Sequence, residues 1–187
     1  MKKERDSGVK IENIVTSGSL ADSVDLELLS RTVQNCKFNK ERFPGVVYDM
    51  RDPKATALIF SSGRVVLTGF LRHGDIPVAM DNLVKTLRDA GIACIEKPDI
   101  RVKNIVCTYN LGNDCNLIRI LTALMDTERV EYEPETFPGL VCRIADPKLV
   151  FLLFSSGKMV ITGGTTMEDI RRGLTIFLGK LGTVGSA

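Results

Sequence analysis

The chain has 187 residues, 44% of them hydrophobic and 26% charged, with a formal net charge of +2. That is enough apolar material for one domain or two small ones, and the weak charge permits a nucleic-acid partner without demanding one. The apolar runs fall far short of the roughly 20 residues of a membrane helix. The charged start "MKKERDSG" leads into no apolar stretch, which predicts no signal peptide and a protein kept inside the cell.

Cys36, Cys94, Cys107, Cys115 and Cys142 contain no C-x-x-C pair, and His73 is the single histidine. These numbers predict reduced packing cysteines, no metal, no cofactor and no histidine-based nucleophile. The chain is written twice. "FPGVVYDMRDPKATALIFSSGRVVLTG" from Phe43 is answered by "FPGLVCRIADPKLVFLLFSSGKMVITG" from Phe137 at an offset of 94, with 15 of 27 positions identical. "IENIVTSGSL" is answered by "VKNIVCTYNL", pairing Asn13 with Asn104 at an offset of 91. The expected layout is a flexible start (1–8), a first repeat (9–97), a second repeat (98–181) and a flexible end (182–187).

In chain order, "VKIENIVTSG" reads as a strand and Asp25 as the cap of a short helix carrying Leu26, Leu29 and Val33. A short strand near "CKFN" and three strands in the quoted repeat follow. Turns are expected at Asp52–Lys54 and at Ser61–Ser62–Gly63. A longer helix with Ile76, Met80, Leu83, Val84 and Leu87 stops at Gly91. "GIACIEKPDIR" is the seam. The second copy repeats the order: "IRVKNIVCTY", a helix with Leu117, Ile120, Leu121 and Leu124, "VEYE", three strands turned at Asp146–Lys148, and a last helix. That helix opens on a capping box, Thr165-x-x-Glu168, with an apolar stripe at Met167, Ile170, Leu174, Phe177, Leu178 and Leu181. Five strands and two helices per copy predict an antiparallel sheet with helices on one face only.

Strand residues alternate sides. If the helices cover Ile59, Val65 and Leu67, the other face holds Leu58, Phe60, Val66 and Thr68, with Asn13 and Val15 from the first strand. The second copy adds Leu152, Phe154, Val160, Thr162, Asn104 and Val106. Such an apolar patch marks a binding surface; the alternative is a second sheet or a dimer mate that covers it. Phe43 and Phe137 each precede Pro-Gly, and Phe60 and Phe154 each precede Ser-Ser-Gly.

"ENIV"/"KNIV", "RFPG"/"TFPG", "ALIFSSGRVVLTG"/"FLLFSSGKMVITG" and "YEPETFPGLV" resemble the two repeats of the TATA-box-binding protein family in its archaeal form, from about residue 9 to 181. The resemblance implies an α+β fold: a pseudo-twofold saddle whose curved ten-stranded antiparallel sheet has four helices on its convex face. It implies a general transcription initiation factor lying on the minor groove of the TATA box. Phe43, Phe60, Phe137 and Phe154 would be the DNA-intercalating pairs that kink it. Asn13 and Asn104 would read A·T pairs, flanked by Thr68 and Thr162. Val15, Val106, Leu58, Leu152, Val66 and Val160 would form the apolar floor. Ser62, Ser156, Arg64, Lys158, Arg42 and Arg143 would face phosphates. Glu133 and Glu135 would meet the B-type initiation factor, and RNA polymerase would follow. The implied location is the cytoplasm, at an archaeal nucleoid, or the nucleus of a eukaryote.

The chain departs from the family pattern at Thr136, in "LRHGDIP" (71–77), and above all at Asp49, which stands where copy two has Arg143 and relatives usually carry a basic residue. Other readings are a divergent paralogue with altered promoter or partner preference, an enzyme or accessory domain on a similar saddle, and a self-associating protein whose apolar face is buried in a homodimer without DNA. The acidic residues form no paired cluster that would serve an enzyme.

Overall fold

The computed structural model describes residues 8–185, with side chains described to residue 182. Residues 1–7 and 186–187, the outer parts of the two expected flexible ends, lie outside the described residues. The chain divides into two compact units: 13–103, and 104–185 together with 8–12. The division falls inside the first strand rather than at the expected seam, because residues 8–12 lie with the second copy.

The first copy runs β1 (Lys10–Ser19), α1 (Leu26–Thr32), β2 (Cys36–Phe38), β3 (Gly45–Arg51), β4 (Lys54–Phe60), β5 (Arg64–Phe70) and α2 (Asp75–Asp89). The second runs β6 (Ile100–Asn110), α3 (Leu117–Leu124), β7 (Arg129–Glu131), β8 (Leu140–Ile144), β9 (Leu149–Leu153), β10 (Lys158–Gly164) and α4 (Met167–Gly185). Among the described residues this gives the expected α+β class with five strands and two helices per copy. Strand order is β2-β3-β4-β5-β1 in one copy and β6-β10-β9-β8-β7 in the other, and neighbouring strands within each copy are antiparallel.

One parity of each sheet is buried under helices. In the first copy it is Ile14, Val46, Ala57, Ile59, Val65 and Leu67, buried together with Leu29 of α1 and Leu83 and Leu87 of α2. In the second it is Ile105, Leu140, Phe151, Leu153 and Ile161, with Phe151 stacked on Phe177 of α4 at 4.5 Å between ring centroids. Each of the Val, Leu and Ile side chains among them, fully withdrawn from water, contributes on the order of 2 kcal/mol.

Local signals explain the helix starts. The Asp25 carboxylate accepts from the backbone N–H groups of Glu27 and Leu28, both at 3.0 Å, so α1 begins where expected. Val33 is not in α1; it is the extended residue that ends it. In α2, Ile76 is half-buried, and Ala79 joins the buried stripe instead. The capping box of α4 is displaced by one residue. Thr166, not Thr165, accepts from the Asp169 N–H at 3.1 Å and donates to the Asp169 carboxylate at 2.8 Å. That start places Ile170, Leu174 and Phe177 in the core. The helix then continues to Gly185, past the expected end of the repeat at 181.

Candidate nucleic-acid interface

The opposite parity of each sheet carries no helix. Leu58, Phe60, Val66 and Thr68 in one unit, and Leu152, Phe154, Val160 and Thr162 in the other, are all half-exposed, as are Asn13, Val15, Asn104 and Val106. Register confirms that these residues share a face, since residues directly opposite across an antiparallel pair point the same way. Val47, Leu58 and Val66 form one cross-strand row, and Asp49, Thr56 and Thr68 form the next. Val141, Leu152 and Val160 form the matching row of the second unit, followed by Arg143, Val150 and Thr162.

At one end of each face stands a phenylalanine pair. Phe43 and Phe60 have ring centroids 5.6 Å apart, and Phe137 and Phe154 are 5.8 Å apart. Both pairs are tilted, the arrangement favoured by the ring quadrupole. The glycine of each F-P-G makes room for them. A Cβ on Gly45 would lie 2.9 Å from the Phe43 ring, and one on Gly139 would lie 2.7 Å from Phe137 and 3.1 Å from Phe154. Beside each pair the Ser-Ser-Gly turn closes through the Gly63 N–H to the Phe60 carbonyl and the Gly157 N–H to the Phe154 carbonyl, both at 2.9 Å. Gly63 and Gly157 both have φ +75, and a side chain on either would collide with a backbone carbonyl, that of Ala21 or of Asn113. Only glycine fits there. The aromatic pairs therefore project from turns braced against the chain that follows β1 or β6.

The asparagines are oriented by partners that the spacing of the sequence did not reveal. The Gly69 N–H donates to Asn13 Oδ1 at 2.8 Å, and the Gly163 N–H donates to Asn104 Oδ1 at 2.8 Å. Thr68 and Thr162 lie against the same amides, with the Thr162 hydroxyl donating to Asn104 Oδ1 at 3.1 Å. A carbonyl oxygen fixed by a backbone N–H leaves the amide NH₂ as the donor, and one N–H of the Asn13 amide donates to Thr68 Oγ1 at 3.0 Å. The only sign of this in sequence is the Thr-Gly that ends both copies of the motif.

Charge borders each face. Arg64 and Lys158 open β5 and β10 on the uncovered parity, and Arg42, Ser62 and Ser156 are exposed at or near the turns. Among the described residues, Arg42, Arg64 and Lys158 form no ion pair. Arg143 lies 3.9 Å from Glu131, and Asp49 lies 2.9 Å from Lys37. Glu133 and Glu135 are exposed in the segment before Phe137. One carboxylate was not foreseen at the face. Glu12 accepts from the Thr108 hydroxyl at 2.8 Å and pairs with Lys10 at 2.9 Å, beside a cavity of ≈ 770 Å³ that Phe154, Lys158 and Val160 also line. The bonds from Lys10 and then Thr108 hold its carboxyl below the ordinary range.

Burial pushes the Cys107 and Cys142 thiols up to about 11, and burial followed by the Asp49 charge does the same to Cys36, so all three stay protonated near neutrality. Among the described residues no cluster of His, Cys, Asp and Glu could hold a metal ion, and no helix is long and apolar enough to cross a membrane.

The model of the family "Transcription factor TFIID (or TATA-binding protein, TBP)" matches residues 8–90 and again 99–184, once for each copy. The chain belongs to the TATA-binding protein family. It is 44% identical over 180 residues to TATA-box-binding protein 1 of Methanosarcina acetivorans, covering 96% of this chain and 98% of that one. It is 42% identical over 181 residues to the TATA-box-binding protein of Archaeoglobus fulgidus, covering 97% and 98%. The solved structure of Methanococcus jannaschii TBP aligns with a TM-score of 0.81 at 40% identity, over 96% of this chain and 99% of that one. The family is one of DNA-binding transcription factors and not of enzymes.

Proposed function

We propose that the chain is a general transcription initiation factor that binds the TATA box of a promoter through the minor groove, with the uncovered faces of both units on one duplex. The observation that carries this reading is the pairing, in each unit, of an apolar face with an asparagine whose oxygen is fixed by a backbone N–H, so that its NH₂ is the group left to donate. A·T pairs present only acceptors in the minor groove, whereas G·C adds the guanine amino donor. An asparagine donor is satisfied by the first and blocked by the second.

In this reading Phe43 with Phe60, and Phe137 with Phe154, wedge between base steps at the two ends of the site, as is familiar for this family. Val15, Leu58 and Val66, with Val106, Leu152 and Val160, cover sugars and base edges. Arg64 and Lys158 meet phosphates from the strand starts, Ser62 and Ser156 from the turns, and Arg42 and Arg143 from the rim. Apolar contact carries much of the binding, which is why a net charge of +2 suffices. Glu133 and Glu135 form an acidic stirrup suited to a B-type initiation factor, and RNA polymerase joins that complex. Without DNA, the bare apolar faces favour a homodimer. Asp49 supports a second reading on the same fold, a paralogue with a shifted promoter preference, because a carboxylate on the DNA side repels phosphate.

The test is a fluorescence or gel-shift assay with a TATA-like duplex and a G·C-substituted one, repeated for Phe137→Ala with Phe154→Ala. Selective binding to the first duplex, lost in the variant, is expected. Equal binding to both duplexes would falsify the reading.

A further inference from the structure

The outer edges of the two uncovered faces carry the same kind of ion pair with its signs reversed. In the first copy Lys37 on β2 pairs with Asp49 on β3 at 2.9 Å. At the repeat offset of 94 their counterparts are Glu131 on β7 and Arg143 on β8, 3.9 Å apart. Register puts all four on the uncovered parity. Lys37 is opposite Val47 and Glu131 opposite Val141, while Asp49 is opposite Thr56 and Arg143 opposite Val150.

A third position breaks the symmetry further. Arg129 stands directly opposite Arg143 across β7 and β8. Its counterpart, Asn35, is neutral and accepts from the Asp49 N–H at 3.2 Å through its backbone carbonyl. Like charges directly opposite one another weaken a sheet, and exposed ion pairs add little to stability. The folding of either unit therefore does not account for these residues. An anion held beside Arg129 and Arg143 does account for the second edge. At the first edge, Lys37 is neutralised by its own neighbour, and Asp49 repels an anion.

We infer that the reversed pair makes the two halves of the DNA-binding surface unequal and so selects the direction in which the protein lies on its promoter. Lys37, Asp49, Glu131 and Arg143 then determine orientation on the duplex. The inference rests on the minor-groove reading above. A·T elements with unlike halves differ in groove width and deformability. A binder with matched ends would lie almost equally well either way round, whereas one with unlike ends would not.

Exchanging the pairs tests this without changing net charge. The variants are K37E/D49R, E131K/R143D and all four substitutions together. Orientation is read by energy transfer from a donor dye on the C-terminus to an acceptor at one end or the other of a duplex with an asymmetric A·T element. The wild type is expected to favour one orientation by about threefold or more, the scale of one surface charge contact. Each double variant should bring the ratio towards one, and the fourfold exchange, which leaves Arg129 in place, should shift it further in the same direction than either double variant. The two double variants act on separate units, so either alone decides the matter. No preference in the wild type, or a ratio unmoved by exchange while A·T-selective binding is intact, overturns the inference alone. Loss of A·T selectivity in the wild type overturns the DNA reading with it.

Discussion

The two copies agree at some positions and part at others. Phe43 and Phe137, Phe60 and Phe154, Asn13 and Asn104, Thr68 and Thr162 are identical pairs, held by equivalent contacts. Asp49 against Arg143, Lys37 against Glu131, Asn35 against Arg129 and Thr16 against Cys107 are not. The conserved set is the one that needs geometry: rings seated over a glycine and amides fixed by a backbone N–H. The divergent set is charge at the edge of the face, plus one buried position. A repeat can change its electrostatics without disturbing its frame, because exposed charges contribute little to folding.

The largest effect should come from breaking the shared wedge. Phe137→Ala or Phe154→Ala removes a ring worth about 2 kcal/mol of apolar burial, so affinity for a TATA-like duplex should fall about thirtyfold for each. Phe43→Ala and Phe60→Ala should act alike if the copies bind alike. A much smaller loss in the first copy, measured in one titration series, would show that its end is held more loosely.

The next effect sharpens the charge difference. Asp49→Arg should tighten DNA binding severalfold and steepen the plot of log affinity against log salt by about one unit, as one more phosphate is neutralised. Unchanged affinity and slope would show that Asp49 does not approach the backbone.

The smallest effect concerns the core. Thr16 is fully buried, and its hydroxyl lacks a partner among the described residues. Its counterpart Cys107 is also fully buried but places a weakly polar thiol there. Thr16→Val should raise stability by about 1 kcal/mol, or about 3 °C in melting temperature for a chain of this size. A drop in melting temperature would mean that the hydroxyl has a partner in solution.

The features legible in sequence were local or doubled. Asp25 announced α1 because a cap acts within one turn, and the parity of "LIFSSGRVVLTG" exposed an uncovered face because alternation is a property of the strand itself. The start of α4 was misplaced because Thr165 with Glu168 and Thr166 with Asp169 satisfy the same box, and only packing of Ile170, Leu174 and Phe177 chooses between them. The asparagine orientation depends on a bond to a residue 56 positions away. The reversed ion pairs depend on the register of β2 against β3 and of β7 against β8. Neither can be read until strands are paired.

The central claim is that the uncovered faces read the minor groove. Three duplexes test it most directly: A·T, G·C, and one with inosine replacing guanine opposite cytosine. Inosine lacks the amino group in the minor groove but keeps the major-groove pattern of guanine. If the Asn13 and Asn104 amides and the apolar floor do the reading, the inosine duplex should bind nearly as well as A·T and far better than G·C. An inosine duplex bound as poorly as G·C would contradict the account.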